Sequence, residues 1–231
     1  MGQTAYRAQI FHLLDDPHLD PEAFAYFKDG LLIVEDGHIK AVGAFEDTRE
    51  QLRASAKIHH YENHLIMPGF IDTHVHYVQL DIMASYGRQL LDWLNDYTFP
   101  EECRFANHVH AEALSNAFLD EMLRAGTTTA QVFGSSHPGS VDAFFTAAQA
   151  RGQRVVAGKT CMDRNAPDGL RDTPQSAYDD SKALIERWHG VDRIEYAITP
   201  RFSPTSTPDQ LAALGALWAE HPTCLMQTHL S

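Results

Sequence analysis

The chain has 231 residues, of which 44% are hydrophobic and 21% charged, enough to bury a sizeable core in one or two domains. Its formal net charge of −13, with no Lys/Arg cluster to offset it, argues against a nucleic-acid partner. No apolar run reaches the roughly 18 residues of a membrane span, and the polar start Met1-Gly-Gln-Thr-Ala is unlike a secretory signal, so a cytoplasmic protein is the default expectation.

Residues 1–65 read as a small β-rich unit. Two β-branched runs flank Asp36-Gly37, the composition of a two-residue hairpin turn. A short helix is expected over Glu46–Ala54, and Lys57–Glu62 resumes an extended run. His59, His60 and His64 suggest a metal site only superficially, because adjacent strand residues face opposite ways and do not readily share one ion.

Residues 66–231 alternate strand-like and helical segments. Met67-Pro-Gly-Phe-Ile-Asp-Thr-His74-Val-His76 reads as a buried strand, followed by helical periodicity over Phe105–Phe118. Strands are then expected at Gly126–Phe133, Arg154–Thr160, Arg193–Thr199 and Thr223–His229. Helices are expected at Val141–Arg151, Ser176–Trp188 and Pro208–Glu220, the last capped by Thr207. This order predicts an α/β fold with a parallel sheet, an incomplete TIM-type barrel of about five strands preceded by a β-sandwich piece. Eight βα units need about 250 residues. The sequence stops at Ser231, directly after a strand with no covering helix, so truncation after strand 5 is expected. Cys103, Cys161 and Cys224 are odd in number and far apart, and are expected to be free buried thiols.

Side chains repeat every two residues along a strand, so His74 and His76 share a face and could hold one metal ion. The tripeptide alone is weak, since His-x-His also arises by chance. Its second copy, His108-Val109-His110, lies in a helical stretch where i and i+2 diverge, and reads as ordinary helix histidines. His229 alone reads as a hydrogen-bonded core histidine; beside the first pair, at another strand end, it becomes a third metal ligand. Arg201 and Phe202 have a bland reading, a loop arginine paired with a carboxylate and a packed ring. Their place after Thr-Pro at a strand end also gives what a planar heterocycle with carbonyls needs, a charged donor and an aromatic face. Gln79 would be unremarkable on a solvated loop, yet its amide both donates and accepts.

Together the motifs resemble the amidohydrolase superfamily. His76-Tyr-Val-Gln79, Leu91-Asp-Trp-Leu94 with Tyr97-Thr-Phe-Pro100, Gly158-Lys-Thr-Cys-Met-Asp163, Pro200–Thr205 and Gln227–Ser231 are similar, within it, to the guanine deaminase family. The resemblance implies zinc-dependent hydrolytic deamination of guanine to xanthine and ammonia. It implies that His74, His76 and His229 are ligands to one Zn²⁺, and that Gln79, Arg201, Phe202 and His229 border the guanine. A homodimer is a family-level implication. The family's proton-shuttling glutamate falls one residue beyond Ser231, and a further histidine and a metal-binding aspartate lie later still. The chain therefore holds no complete catalytic set, and little turnover is expected of it alone. Another superfamily aminohydrolase or chlorohydrolase, or a non-catalytic binding fragment, are the alternatives.

Overall fold

A computed structural model describes residues 2–87 and 89–230. Ser231, at which truncation is expected, lies outside the described residues. The chain divides into two compact units, Met1–Pro68 and Gly69–Ser231.

The first unit is a four-stranded sheet in the order β3-β2-β1-β4, formed by β1 (Gln3–Leu13), β2 (Phe24–Glu35), β3 (His38–Ala44) and β4 (Lys57–Ile66). Strand β1 runs antiparallel to β2 and parallel to β4. Asp36 and Gly37 join β2 to β3 with φ of 53° and 80°, the left-handed pair that a tight hairpin turn requires. Ala5, Leu31 and Ile33 form its core against Ala41, Phe45 and Leu52. The helix expected over 46–54 is shorter: α1 (Phe45–Thr48) passes into a 3-10 turn ending at Gln51. Beyond it the Arg53 amide donates to Gln3 Oε1 at 2.8 Å, so that backbone group is spent on the sheet rather than on a helix.

The second unit is built on a parallel sheet in the order β10-β9-β7-β6-β5. In chain order it contains β5 (Phe70–His76), α2 (Leu90–Trp93), α3 (Phe99–Arg104), α4 (His108–Arg124), β6 (Thr127–Phe133), α5 (Pro138–Arg151) and β7 (Arg154–Gly158). Then come β8 (Thr160–Cys161), α6 (Pro174–Trp188), β9 (Ile194–Pro200), α7 (Pro208–Glu220) and β10 (Leu225–Met226). Every neighbouring pair in this sheet is parallel, as βα alternation requires. Aromatic side chains between sheet and helices, including Tyr77, Phe118, Phe144, Phe145 and Trp188, fill its core.

Strand β5, expected to be buried, leaves Phe70 and Ile71 more than half exposed. Three other elements differ in their bounds for local reasons. Helix α4 starts at His108, not Phe105, because the Asn107 side chain accepts from the Val109 amide at 2.9 Å and caps the helix there. The third strand breaks at Lys159, whose amide donates to the Tyr196 hydroxyl at 3.1 Å instead of joining the ladder; the two-residue β8 then pairs with β9. The fifth strand is only two residues long, since the Cys224 amide turns back to His221 O at 3.0 Å, although an isolated parallel bridge pairs Phe202 with His229. Cys161 and Cys224 are buried, but Cys103 is partly exposed, correcting its assignment as a buried thiol.

Candidate functional site

Strand β5 ends in His74 and His76, whose ring centroids lie 5.3 Å apart on one face of the strand. His229 arrives from beyond β10, with its ring 4.8 Å from His74 and 5.2 Å from His76. One nitrogen from each ring falls within 4.8 Å of the others. All three imidazoles pack against the buried ring of Phe133 at the end of β6, at 5.0, 4.6 and 4.4 Å. That apolar floor, with Arg201 nearby, disfavours protonation of His76 and His229. Burial, then the Arg201 charge, holds His76 well below its ordinary value, and burial also lowers His229.

The protonation pattern suits a metal. His229 Nδ1 donates to the Arg201 carbonyl at 2.8 Å, which leaves the Nε2 lone pair facing the cluster. His76 Nε2 and His229 Nε2 are 3.2 Å apart. A tetrahedral ion with nitrogen ligands at about 2.0–2.1 Å would separate them by roughly 3.3 Å. His76 and His229 therefore stand at the separation one divalent ion would bridge, and His74 is close enough to make a group of three that could hold it.

Next to the histidines is a small open cleft bordered by His76, Gln79, Arg201, Phe202 and His229. Gln79, on the 3-10 turn Tyr77–Ile82 that follows β5, forms part of its polar side together with Arg201. Phe202 presents its ring at 6.2 Å from His229, edge to face. Leu90, Trp93 and Leu94 form an apolar wall. A π-helical turn over Leu94–Thr98 joins this wall to α3. Such turns insert an extra residue, and here the chain continues into α3 with Glu102 fully buried beneath the cleft. Glu102 Oε2 accepts from Arg201 Nη1 at 2.6 Å, and its Oε1 accepts from Gln79 Nε2 at 3.4 Å.

The profile of the family described as "Amidohydrolase family" matches residues 65–231. The chain belongs to the amidohydrolase family. Among curated relatives of this amidohydrolase chain, the guanine deaminase of Escherichia coli K12 is 47% identical over 221 residues, covering 96% of this chain and 50% of that protein. The solved E. coli guanine deaminase superimposes with a TM-score of 0.95 at 45% identity, covering 98% of this chain and 53% of that one. The structure of guanine deaminase from C. acetobutylicum, with bound guanine in its active site, gives 0.87 at 26% identity, covering all of this chain and 53% of that one. The chain spans about half the length of the curated relatives it matches.

All of the sequence-derived site residues of this amidohydrolase chain, His74, His76, Gln79, Arg201, Phe202 and His229, come together around the histidine cluster and its cleft. Glu102, Phe133 and the Leu90–Leu94 wall were not legible as site residues. Glu102 is one of two consecutive glutamates, and only the fold separates them: Glu101 pairs with Arg104 and with His110 Nε2, while Glu102 turns to Arg201. His110, read as an ordinary helix histidine, forms part of that Glu101 pair and lies edge-on to Phe105 at 4.8 Å. In the first unit His59 stacks on Tyr6 and His64 Nδ1 donates to the Glu62 carbonyl at 2.7 Å.

Proposed function

We propose that this chain supplies the metal-binding and purine-recognition portion of a guanine deaminase, a hydrolase converting guanine to xanthine and ammonia. In this reading His74, His76 and His229 hold one Zn²⁺, and Gln79, Arg201, Phe202 and His229 border the guanine ring. The observation that carries it is the meeting of three imidazoles beside a cleft that Gln79 and Arg201 also line.

A bound divalent ion lowers the pKa of a coordinated water, so that a nucleophile is available near neutral pH. The residues of the chain perform the remaining tasks. Phe202 offers a ring face and the Leu90–Leu94 wall excludes water from a planar heterocycle. Arg201 donates to a ring carbonyl and holds the partial charge that builds there. Gln79 pairs with an adjacent ring N–H. His229, its Nδ1–H held by the Arg201 backbone, keeps its other nitrogen toward the reacting side. Among the described residues the one carboxylate bonded to the polar side of the cleft, Glu102, is committed to Arg201 and Gln79, so proton transfer to the departing ammonia belongs to another group. A cytoplasmic setting and a homodimer complete the proposal; among the described residues no helix is long and apolar enough to cross a membrane.

Metal analysis of the full chain after dialysis against Zn²⁺, followed by titration with guanine, tests the reading. One tightly held zinc is expected, lost on His74→Ala, His76→Ala or His229→Ala, with guanine bound in the loaded protein. Zinc held equally well by the triple variant would exclude these ligands, and a loaded protein indifferent to guanine would exclude the substrate.

A further inference from the structure

Glu102 is fully buried, and Arg201 retains 3% of its surface. A carboxylate taken this far from water is sustained only by close partners, and it has two, both bordering the cleft: Arg201 Nη1 at 2.6 Å and Gln79 Nε2 at 3.4 Å. The helix that carries it is anchored to the end of β6, where Ser135 Oγ donates to the Glu102 carbonyl at 3.0 Å. Arg201 is further held over the Phe99 ring, 5.4 Å from its centroid.

The Gln79 amide could in principle face the cleft with either end. Its nitrogen lies between Glu102 Oε1 and His76 Nδ1, the latter at 3.2 Å. Glu102 Oε1 accepts from that nitrogen, so the carbonyl oxygen is the end left for a ligand. Arg201 can only donate. The cleft thus offers one donor and one acceptor in a fixed sense, the complement of a lactam edge in which a ring C=O stands beside a ring N–H. The sense is not intrinsic to Gln79, since an amide turned over is sterically almost identical. It is imposed by the carboxylate behind it, which accepts and cannot donate.

We infer that Glu102 is the positioning residue that fixes this sense, and thereby the preference for a lactam-bearing purine over an isosteric purine with an amino group beside an unprotonated ring nitrogen. The inference rests on the purine reading above and adds a specificity-determining residue to it. Glu102 does not touch the ring; it acts through Gln79 and Arg201. The ion pair also offsets the Arg201 charge, so the cleft suits a neutral ring.

The test compares affinities of the zinc-loaded full chain for guanine and for 2,6-diaminopurine, which has the same size and an amino group in place of the carbonyl. The wild-type protein is expected to favour guanine. Glu102→Gln, whose own amide can donate to the carbonyl end of Gln79 or accept from its nitrogen end, is expected to lower that preference by at least about tenfold with zinc content unchanged. Glu102→Asp keeps the buried charge, and so serves if the glutamine variant does not fold. It withdraws the carboxylate by one carbon–carbon bond, about 1.5 Å, and is expected to lower the preference by at least about threefold. A merely structural role would weaken both ligands alike and leave their ratio standing. A folded variant of either kind that keeps the wild-type ratio overturns the assignment of Glu102. Failure of wild-type protein to bind guanine would instead overturn the proposed function, and this inference with it.

Discussion

His76 illustrates how much one residue depends on what the fold puts beside it. Stacked on Phe133 at 4.6 Å, with Arg201 and two imidazoles near, it is held well below the ordinary histidine value. The unfolded chain protonates this residue near 6.5 and the folded chain only at a pH well below that, so between the two unfolding takes up a proton. Stability is therefore full above about 6.5 and falls as pH drops through it, by up to about 1.4 kcal/mol per pH unit for each such histidine. His229, shifted the same way, adds to the effect. Thermal unfolding of metal-free protein between about pH 7.5 and 5.5 should show the midpoint falling, and His76→Phe should flatten the slope. A slope identical in the variant would mean that other groups carry the acid sensitivity. Protons and a metal compete for the same nitrogens, so zinc loading of the folded protein should weaken only as pH falls below the ordinary histidine value, where the lowered His76 and His229 take up protons.

At the level of elements, the join between β7 and β9 is the tightest constraint on how the strand ends converge. A Cβ at Gly158 would lie 1.8 Å from the Ala197 carbonyl oxygen, a backbone atom that cannot move aside without breaking the ladder. Gly158→Ala is expected to destabilise the protein by about 3 kcal/mol or more, measured by chemical denaturation. Loss of less than about 1 kcal/mol would show that the strands separate easily. Just beyond, Lys159 is fully buried with its Nζ 2.6 Å from Asp172, and Asp163 accepts from the Thr207 amide at 2.7 Å. These contacts tie down the loops after β8 and β9, the second of which carries Phe202. The Gly158–Asp163 motif thus serves the site through strand spacing and loop anchoring rather than by touching a ligand.

For the whole molecule the governing quantity is charge. A net −13 spread over 231 residues makes the compact state self-repelling. Raising NaCl from about 0.05 M to about 0.5 M should therefore raise the unfolding midpoint by screening that repulsion. A midpoint that falls instead would show that surface ion pairs outweigh it. The buried Glu102–Arg201 pair lies beyond this effect, because salt screens exposed charges far more than desolvated ones.

What the sequence determined follows from local rules. Alternating periodicity implied the parallel α/β order, Asp36-Gly37 the hairpin, Thr207 the start of α7, and the His-x-His at a strand end a shared face. Each of these depends on residues a few positions apart, where spacing alone dictates direction. That Gln79, Arg201 and His229 belong with that pair was implied instead by the family resemblance of the strings around them. Tertiary structure alone decided which of two neighbouring glutamates enters the site and that Phe133 floors the histidines. It also decided that the third strand breaks at Lys159 and that the fifth shrinks to two residues. Those outcomes depend on partners far along the chain: Glu102 reaches Arg201 across 99 positions, and His76 meets His229 across 153. No periodicity encodes such meetings, because they are fixed by how strands and helices pack and not by the residues that lie next to one another.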